Sequence, residues 1–153
     1  MLTSTTPSIA VSRNHSEPPR IEEHWDEHQH QVKLISWCDQ NTDLYPDLAL
    51  IFAIPSGENR HVLNAIRLKA QGVRPGVPDL CLPVPSGPYH GLYIELKALG
   101  GRASKDQSAW IRRLSAAGYR AAVCKGWRAA RDVILEYLAA SQEQEQPGET
   151  EQV

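Results

Sequence analysis

Nowhere in the 153 residues does an apolar run approach the roughly 18–20 residues that a membrane helix needs, so no membrane partner is expected. The N-terminus lacks the basic-then-apolar pattern of a secretory signal. Cysteine is scarce and shows no pairing pattern: Cys38, Cys81 and Cys124 are odd in number, lie far apart and form no CxxC, which argues against a disulfide framework or a zinc site. Each falls in an apolar run, predicting buried free thiols and a reducing, cytoplasmic compartment. There is no internal repeat, and at this length there is room for one compact domain with a real core and little more.

What is present is a charge asymmetry hidden by a formal net charge of -2. Residues 60–131 hold 13 of the 16 Lys and Arg but only three acids, Asp79, Glu95 and Asp106, so that segment is +10 while 1–59 and 132–153 are each -6. A basic middle with acidic flanks suits a domain that meets a polyanion; the competing reading is a solvated face of helical arginines.

Residues 1–20, rich in Ser, Thr and Pro, read as a disordered arm, and 141–153 (SQEQEQPGETEQV) as a polar acidic tail, leaving 21–140 as the folded part. Within it, apolar spacing predicts a helix over 22–38, whose face steps back from Leu34, Ile35 and Cys38 through Gln31 to Glu27. LALIFAI at 48–54, closed by Pro55-Ser56-Gly57, predicts a buried strand. A helix over 59–71 carries Val62, Leu63, Ile66 and Ala70 on one side, and Gly72 ends it. Leu80–Val84 and Leu92–Lys97 are strands separated by the turn PSGPYHG. Ser104 starts a helix that Gly118 closes; Ala121–Lys125 is a strand and 127–140 an amphipathic helix. The order α-β-α-β-β-α-β-α predicts an α/β fold, a small mixed sheet flanked by helices.

The turn between the middle strands places the acids. Reflection about residue 88 sets Asp79 across from residue 97, so in an antiparallel pair Asp79 lies opposite or diagonal to Glu95 and Lys97. Alternation puts Tyr93, Glu95 and Lys97 on one face, and a slip of one residue would turn them away. Two close carboxylates repel, a divalent cation relieves that repulsion, and hard oxygen donors suit Mg²⁺ or Mn²⁺. Such a metal acidifies bound water and stabilises charge building up on a phosphodiester, and a neighbouring lysine can orient that water. A structural salt bridge from Lys97 to either acid is the simpler alternative for an isolated E-x-K.

Val73-Arg74-Pro75-Gly76-Val77-Pro78-Asp79-Leu80, then Tyr93-Ile94-Glu95-Leu96-Lys97, then Ser104-Lys105-Asp106-Gln107, resembles the virus-type replication-repair nuclease (VRR-NUC) domain, a branch of the PD-(D/E)xK superfamily. The resemblance runs from about Glu27 to Leu138 and implies a restriction-endonuclease-like fold. It also implies that Asp79 and Glu95 are metal-binding acids, that the Leu96 carbonyl is a further metal ligand and that Lys97 is the catalytic lysine. The family places a glutamate on its first helix; Glu27 is the best match, with Glu22, Glu23 and Asp26 as neighbouring alternatives. Gln107 matches a helix glutamine behind the site, although Ser104-x-x-Gln107 is also a capping box that needs no catalytic role.

Arg60, Lys69, Arg74, Arg102 and Lys105 are candidate nucleic-acid contacts. The Ser56–Arg60 loop departs from the family's Asn-Gly-Gly pattern at Glu58, whose charge counts against a direct DNA role. His24 and His28, at i and i+4, have no third ligand and read as a solvent-facing pair. Trp110, Trp127 and Tyr119 read as core or interface rather than base-stacking platforms. The function expected is a Mg²⁺-dependent DNA endonuclease, structure-selective for branched or junction DNA and acting as a homodimer. A non-catalytic nucleic-acid-binding module with the same fold is the alternative.

Overall fold

A computed structural model of the chain describes residues 20–55 and 62–142. The expected N-terminal arm, nearly all of the acidic tail and the Ser56–Arg60 loop, with Arg60 itself, lie outside the described residues.

The first helix starts later than apolar spacing predicts. A 3-10 turn over Arg20–His24 precedes helix α1, Glu27–Gln40. Asp26 sets the boundary: its carboxylate accepts from Gln29 N at 2.8 Å, while Gln29 Oε1 accepts from Asp26 N at 3.0 Å. This reciprocal box satisfies N–H groups that a helix start leaves without partners. His24 and His28 are therefore not on one helix, and both are exposed.

The strand expected over 48–54 is largely absent. Pro46 opens a second 3-10 turn, Pro46–Leu50, and only Phe52–Ala53 forms a strand, β1. Leu48 is buried, whereas Leu50 and Phe52 are about half exposed at 53% and 49%. A short apolar run cannot by itself distinguish strand from helical turn, and proline's fixed φ favours the turn here. Helix α2 spans Val62–Ala70. Its expected apolar side faces water at Ile66 and Ala70, because periodicity reports an apolar side and not what covers it.

The remaining elements fall close to expectation: β2 Leu80–Leu82, β3 Leu92–Lys97, α3 Lys105–Ala116, β4 Arg120–Lys125 and α4 Gly126–Gln142. The sheet order is β1-β2-β3-β4, with the first two pairings antiparallel and β3–β4 parallel. β3 and β4 are joined through α3, the crossover that parallel strands require.

One face of the sheet carries Leu80, Leu82, Leu92, Ile94, Leu96 and Cys124 into the core. Leu34 and Cys38 of α1 and Trp127, Ala130, Ile134, Tyr137 and Leu138 of α4 meet them there. All three cysteines are buried free thiols, as expected. The β2–β3 turn is pinned to α4 by two bonds: Ser86 Oγ donates to the Tyr137 carbonyl, and Tyr137 Oη donates to the Val84 carbonyl at 2.5 Å. No helix among the described residues is long and apolar enough to cross a membrane.

The hairpin register sharpens the expectation for the acids. Leu80 pairs with Ile94, Cys81 with Tyr93 and Leu82 with Leu92, so the symmetry centre is residue 87 rather than 88. Continued one residue, that ladder sets Asp79 opposite Glu95. Moving the centre by one residue shifts the pairing by two, which preserves the faces.

Candidate active site

The sheet face away from the core carries Asp79, Glu95 and Lys97. Leu96 N donates to Asp79 Oδ2 at 2.8 Å, which ties the aspartate to the backbone between the other two residues. Glu95 is fully buried, and its Oε1 accepts from Gln107 Nε2 at 2.6 Å and from Lys97 Nζ at 3.0 Å. Its Oε2 is buried with no hydrogen-bond partner among the described residues. Burial, with the Asp79 charge added, pushes the Glu95 carboxyl up to about 7, and Lys97 offsets only part of that.

Lys97 lies between two acids. Its Nζ is also 3.0 Å from Glu27 Oε1 on the first turn of α1. Burial alone would lower the ammonium's pKa, but the bonds to Glu27 and Glu95 outweigh it and hold the pKa above the ordinary lysine value. The four N-terminal acids thus separate by position. Glu22 is buried and paired with Arg128 Nε at 3.0 Å and Nη2 at 3.1 Å; Asp26 caps α1; Glu23 is exposed; Glu27 reaches Lys97.

Gln107 has two duties. Ser104 Oγ accepts from Gln107 N at 3.2 Å, and Gln107 Oε1 accepts from Ser104 N at 2.7 Å, while the side-chain amide still donates to Glu95. The loop entering β2 is pressed against this same helix start. Gly76 has φ +80°, and a Cβ there would stand 2.6 Å from the Asp106 carbonyl carbon and 2.8 Å from Gln107 N. Trp110 Nε1 donates to the Pro75 carbonyl at 2.9 Å and fastens the same loop.

The expected phosphate contacts are less uniform. Lys69, Arg102 and Lys105 are exposed. Arg74 is exposed as well, but its Nη1 donates to the Lys69 carbonyl at 3.1 Å, which joins its loop to the end of α2. Trp127 is core, and Lys33, Arg128 and Arg131 all lie within 5.5 Å of its ring centre. Tyr119 sits edge-on between Tyr93 and His90, and Trp110 is half-buried.

His30 is a residue that the sequence pattern did not single out. It is fully buried on α1, one turn after Glu27, and its Nδ1 accepts from Trp127 N at 3.3 Å. Burial lowers its pKa, with Glu22 and Asp26 acting in the opposite sense. A histidine within a helix spaced four residues before Leu34 was the available signal.

The site tests its own fit to a divalent cation. Among the described residues no three His, Cys, Asp or Glu side chains form a ready-made metal cage. Two carboxylates set opposite each other by the continued β2–β3 register are present instead, one with a buried oxygen lacking a partner among the described residues. Mg²⁺ is commonly held by one or two carboxylates, with waters and substrate phosphates completing the shell, so this donor set fits.

A four-stranded mixed sheet flanked by helices, with paired acids and a lysine on the middle strands, defines a restriction-endonuclease-like, nuclease-type fold. The VRR-NUC domain matches residues 12–128, and the chain belongs to that family. A solved structure described as a VRR_NUC domain protein superposes with a TM-score of 0.67 at 30% sequence identity, covering 76% of this chain and 91% of that one. No curated protein matches the chain. Membership of a nuclease family makes DNA the implied substrate class.

Proposed function

We propose that the protein is a divalent-metal-dependent DNA endonuclease, using Mg²⁺ with Mn²⁺ as a substitute. The observation that carries this reading is Glu95, a carboxylate buried on the sheet with Asp79 beside it and one oxygen without a partner among the described residues. A buried acid in that state is costly for a purely structural role and useful for a ligand. Asp79, Glu95 and the Leu96 carbonyl would hold the cation, with Glu27 at the rim. The bound cation would supply a more acidic water and charge stabilisation at the scissile phosphate.

The chain's own residues do the rest. Lys97 carries a positive charge held between Glu27 and Glu95, at the place where a phosphate or an attacking water would be oriented. Gln107 fixes the rotation of the Glu95 carboxylate, leaving Oε2 as the available donor atom. Exposed Lys69, Arg74, Arg102 and Lys105 would contact the phosphate backbone. We further propose selectivity for branched DNA and a homodimer, because a two-fold pair of sites suits cutting both strands of a junction.

The test is cleavage of four-way junctions, flaps and linear duplex by purified protein in Mg²⁺, Mn²⁺ or EDTA, comparing wild type with Asp79→Ala and Lys97→Ala. Metal-dependent cutting lost in both variants is the expected result. Cleavage in EDTA, or wild-type rates in Asp79→Ala, would sink the assignment. Binding without any cutting would favour the non-catalytic module.

A further inference from the structure

Lys97 has a second lysine beside it. In the parallel β3–β4 ladder Lys97 pairs with Lys125 and Glu95 pairs with Val123, so all four side chains project from the same face. Neighbouring strands lie about 4.8 Å apart, which places the Lys125 stem one strand over from the site. The two lysines differ in state. Lys97 is buried and bridged to Glu27 and Glu95, whereas Lys125 is exposed and has no carboxylate partner among the described residues. Val123 is 40% exposed, so this side of the face is open to solvent beside the buried Glu95.

Two like charges on adjacent strand positions repel unless something neutralises them. Among the described residues Lys97 has its counter-charge and Lys125 has none. Lys125 is also the last residue of β4, before the chain turns at Gly126 (φ +79°) into α4. It therefore stands at the carboxyl ends of the two parallel strands, where open α/β sheets receive their ligands.

We propose that Lys125 is a DNA-phosphate contact, holding a backbone phosphate next to the scissile one as the strand crosses the open β4 edge. The inference rests on the nuclease reading of Asp79, Glu95 and Lys97 and adds a binding residue that the motif does not contain. As a point charge on a flexible stem, Lys125 acts on affinity without reading sequence.

The experiment measures DNA affinity by anisotropy in EDTA across a salt series, for wild type, Lys125→Ala and Lys125→Arg, with thermal melts to establish folding. Lys125→Ala should raise Kd about three- to tenfold on every sequence and flatten the salt slope by about one, while Lys125→Arg restores both. In Mg²⁺, the same loss should appear in KM with kcat nearly unchanged. Wild-type affinity and slope in Lys125→Ala would overturn the proposal, as would a kcat loss with KM intact. The two readings separate cleanly: protein that binds DNA through Lys125 but never cuts it keeps this inference and removes the nuclease, whereas cutting that ignores Lys125 does the reverse.

Discussion

Gln107 and Glu95 are joined side chain to side chain at 2.6 Å, and the same glutamine closes the capping box of α3. One amide therefore sets both the start of a helix and the rotation of a buried carboxylate. Gln107→Ala should lose about 1 kcal/mol with the cap, and also on the order of 10- to 100-fold in activity or metal affinity as the carboxylate loses its orienting donor. Gln107→Glu retains a capping side chain but faces Glu95 with a like charge. Melting temperatures and kcat measured together separate the two duties: a purely structural Gln107 would give activity that tracks stability in both variants.

Lys97 neutralises a carboxylate that has left water. Lys97→Met should abolish cleavage, and in EDTA at pH 8 it should cost about 3 kcal/mol of stability, because Glu95 keeps its burial and loses its counter-charge. Adding Mg²⁺ should recover more stability in the variant than in wild type. Equal metal responses in urea melts would mean that the cation does not sit against Glu95.

The raised pKa of Glu95 sets a pH dependence whose sign is fixed. Its folded value is about 7 against an ordinary 4.5, so between those values the native state holds a proton that the unfolded chain has released. Metal-free stability from this group is therefore undiminished below pH 4.5, falls as pH rises, and is lowered by on the order of 3 kcal/mol above pH 7. Glu95→Gln removes the penalty, so the variant should gain on wild type from pH 5 to pH 8 in EDTA. Parallel pH profiles for the two proteins would refute the burial account.

Gly76 is required twice, by its positive φ and by its approach to α3. Gly76→Ala should destabilise by about 2 kcal/mol and lower kcat as well, since the displaced helix start carries Gln107. Trp110→Phe, which loses the bond to Pro75 and keeps the ring, should be milder on both counts. A Gly76→Ala protein with wild-type stability would show that the loop can move off the helix freely.

The fold was legible where spacing and capping residues agreed. Ser104, Gly118 and the alternation of Leu92–Lys97 all state their own structure, and the helices and strands follow the expected α-β-α-β-β-α-β-α order. The 48–54 run misled because apolar character does not distinguish a strand from a turn, and Pro46 lay just upstream of the run. Pairing Asp79 with Glu95 needed the true centre of the hairpin, which only the register of Leu80–Leu82 against Leu92–Ile94 reveals. Periodicity carried the correct face through that error. Sequence spacing favoured Glu27 over Glu22, Glu23 and Asp26, but it could not show what the other acids do, since that depends on where the Asp26 cap starts the helix and on Arg128, 106 residues along the chain, pairing with Glu22.

The match to the family ends at residue 128, yet α4 continues to Gln142. Ala130, Ile134, Tyr137 and Leu138 share with Leu34, Cys38 and Trp127 the covering of Leu92, Ile94 and Leu96. A fragment cut at the family boundary would keep every residue of the proposed site and expose the back of the strand that holds Glu95 and Lys97. Chemistry and foldability therefore have different borders in this chain, and a transplant of the activity must carry the fourth helix with it.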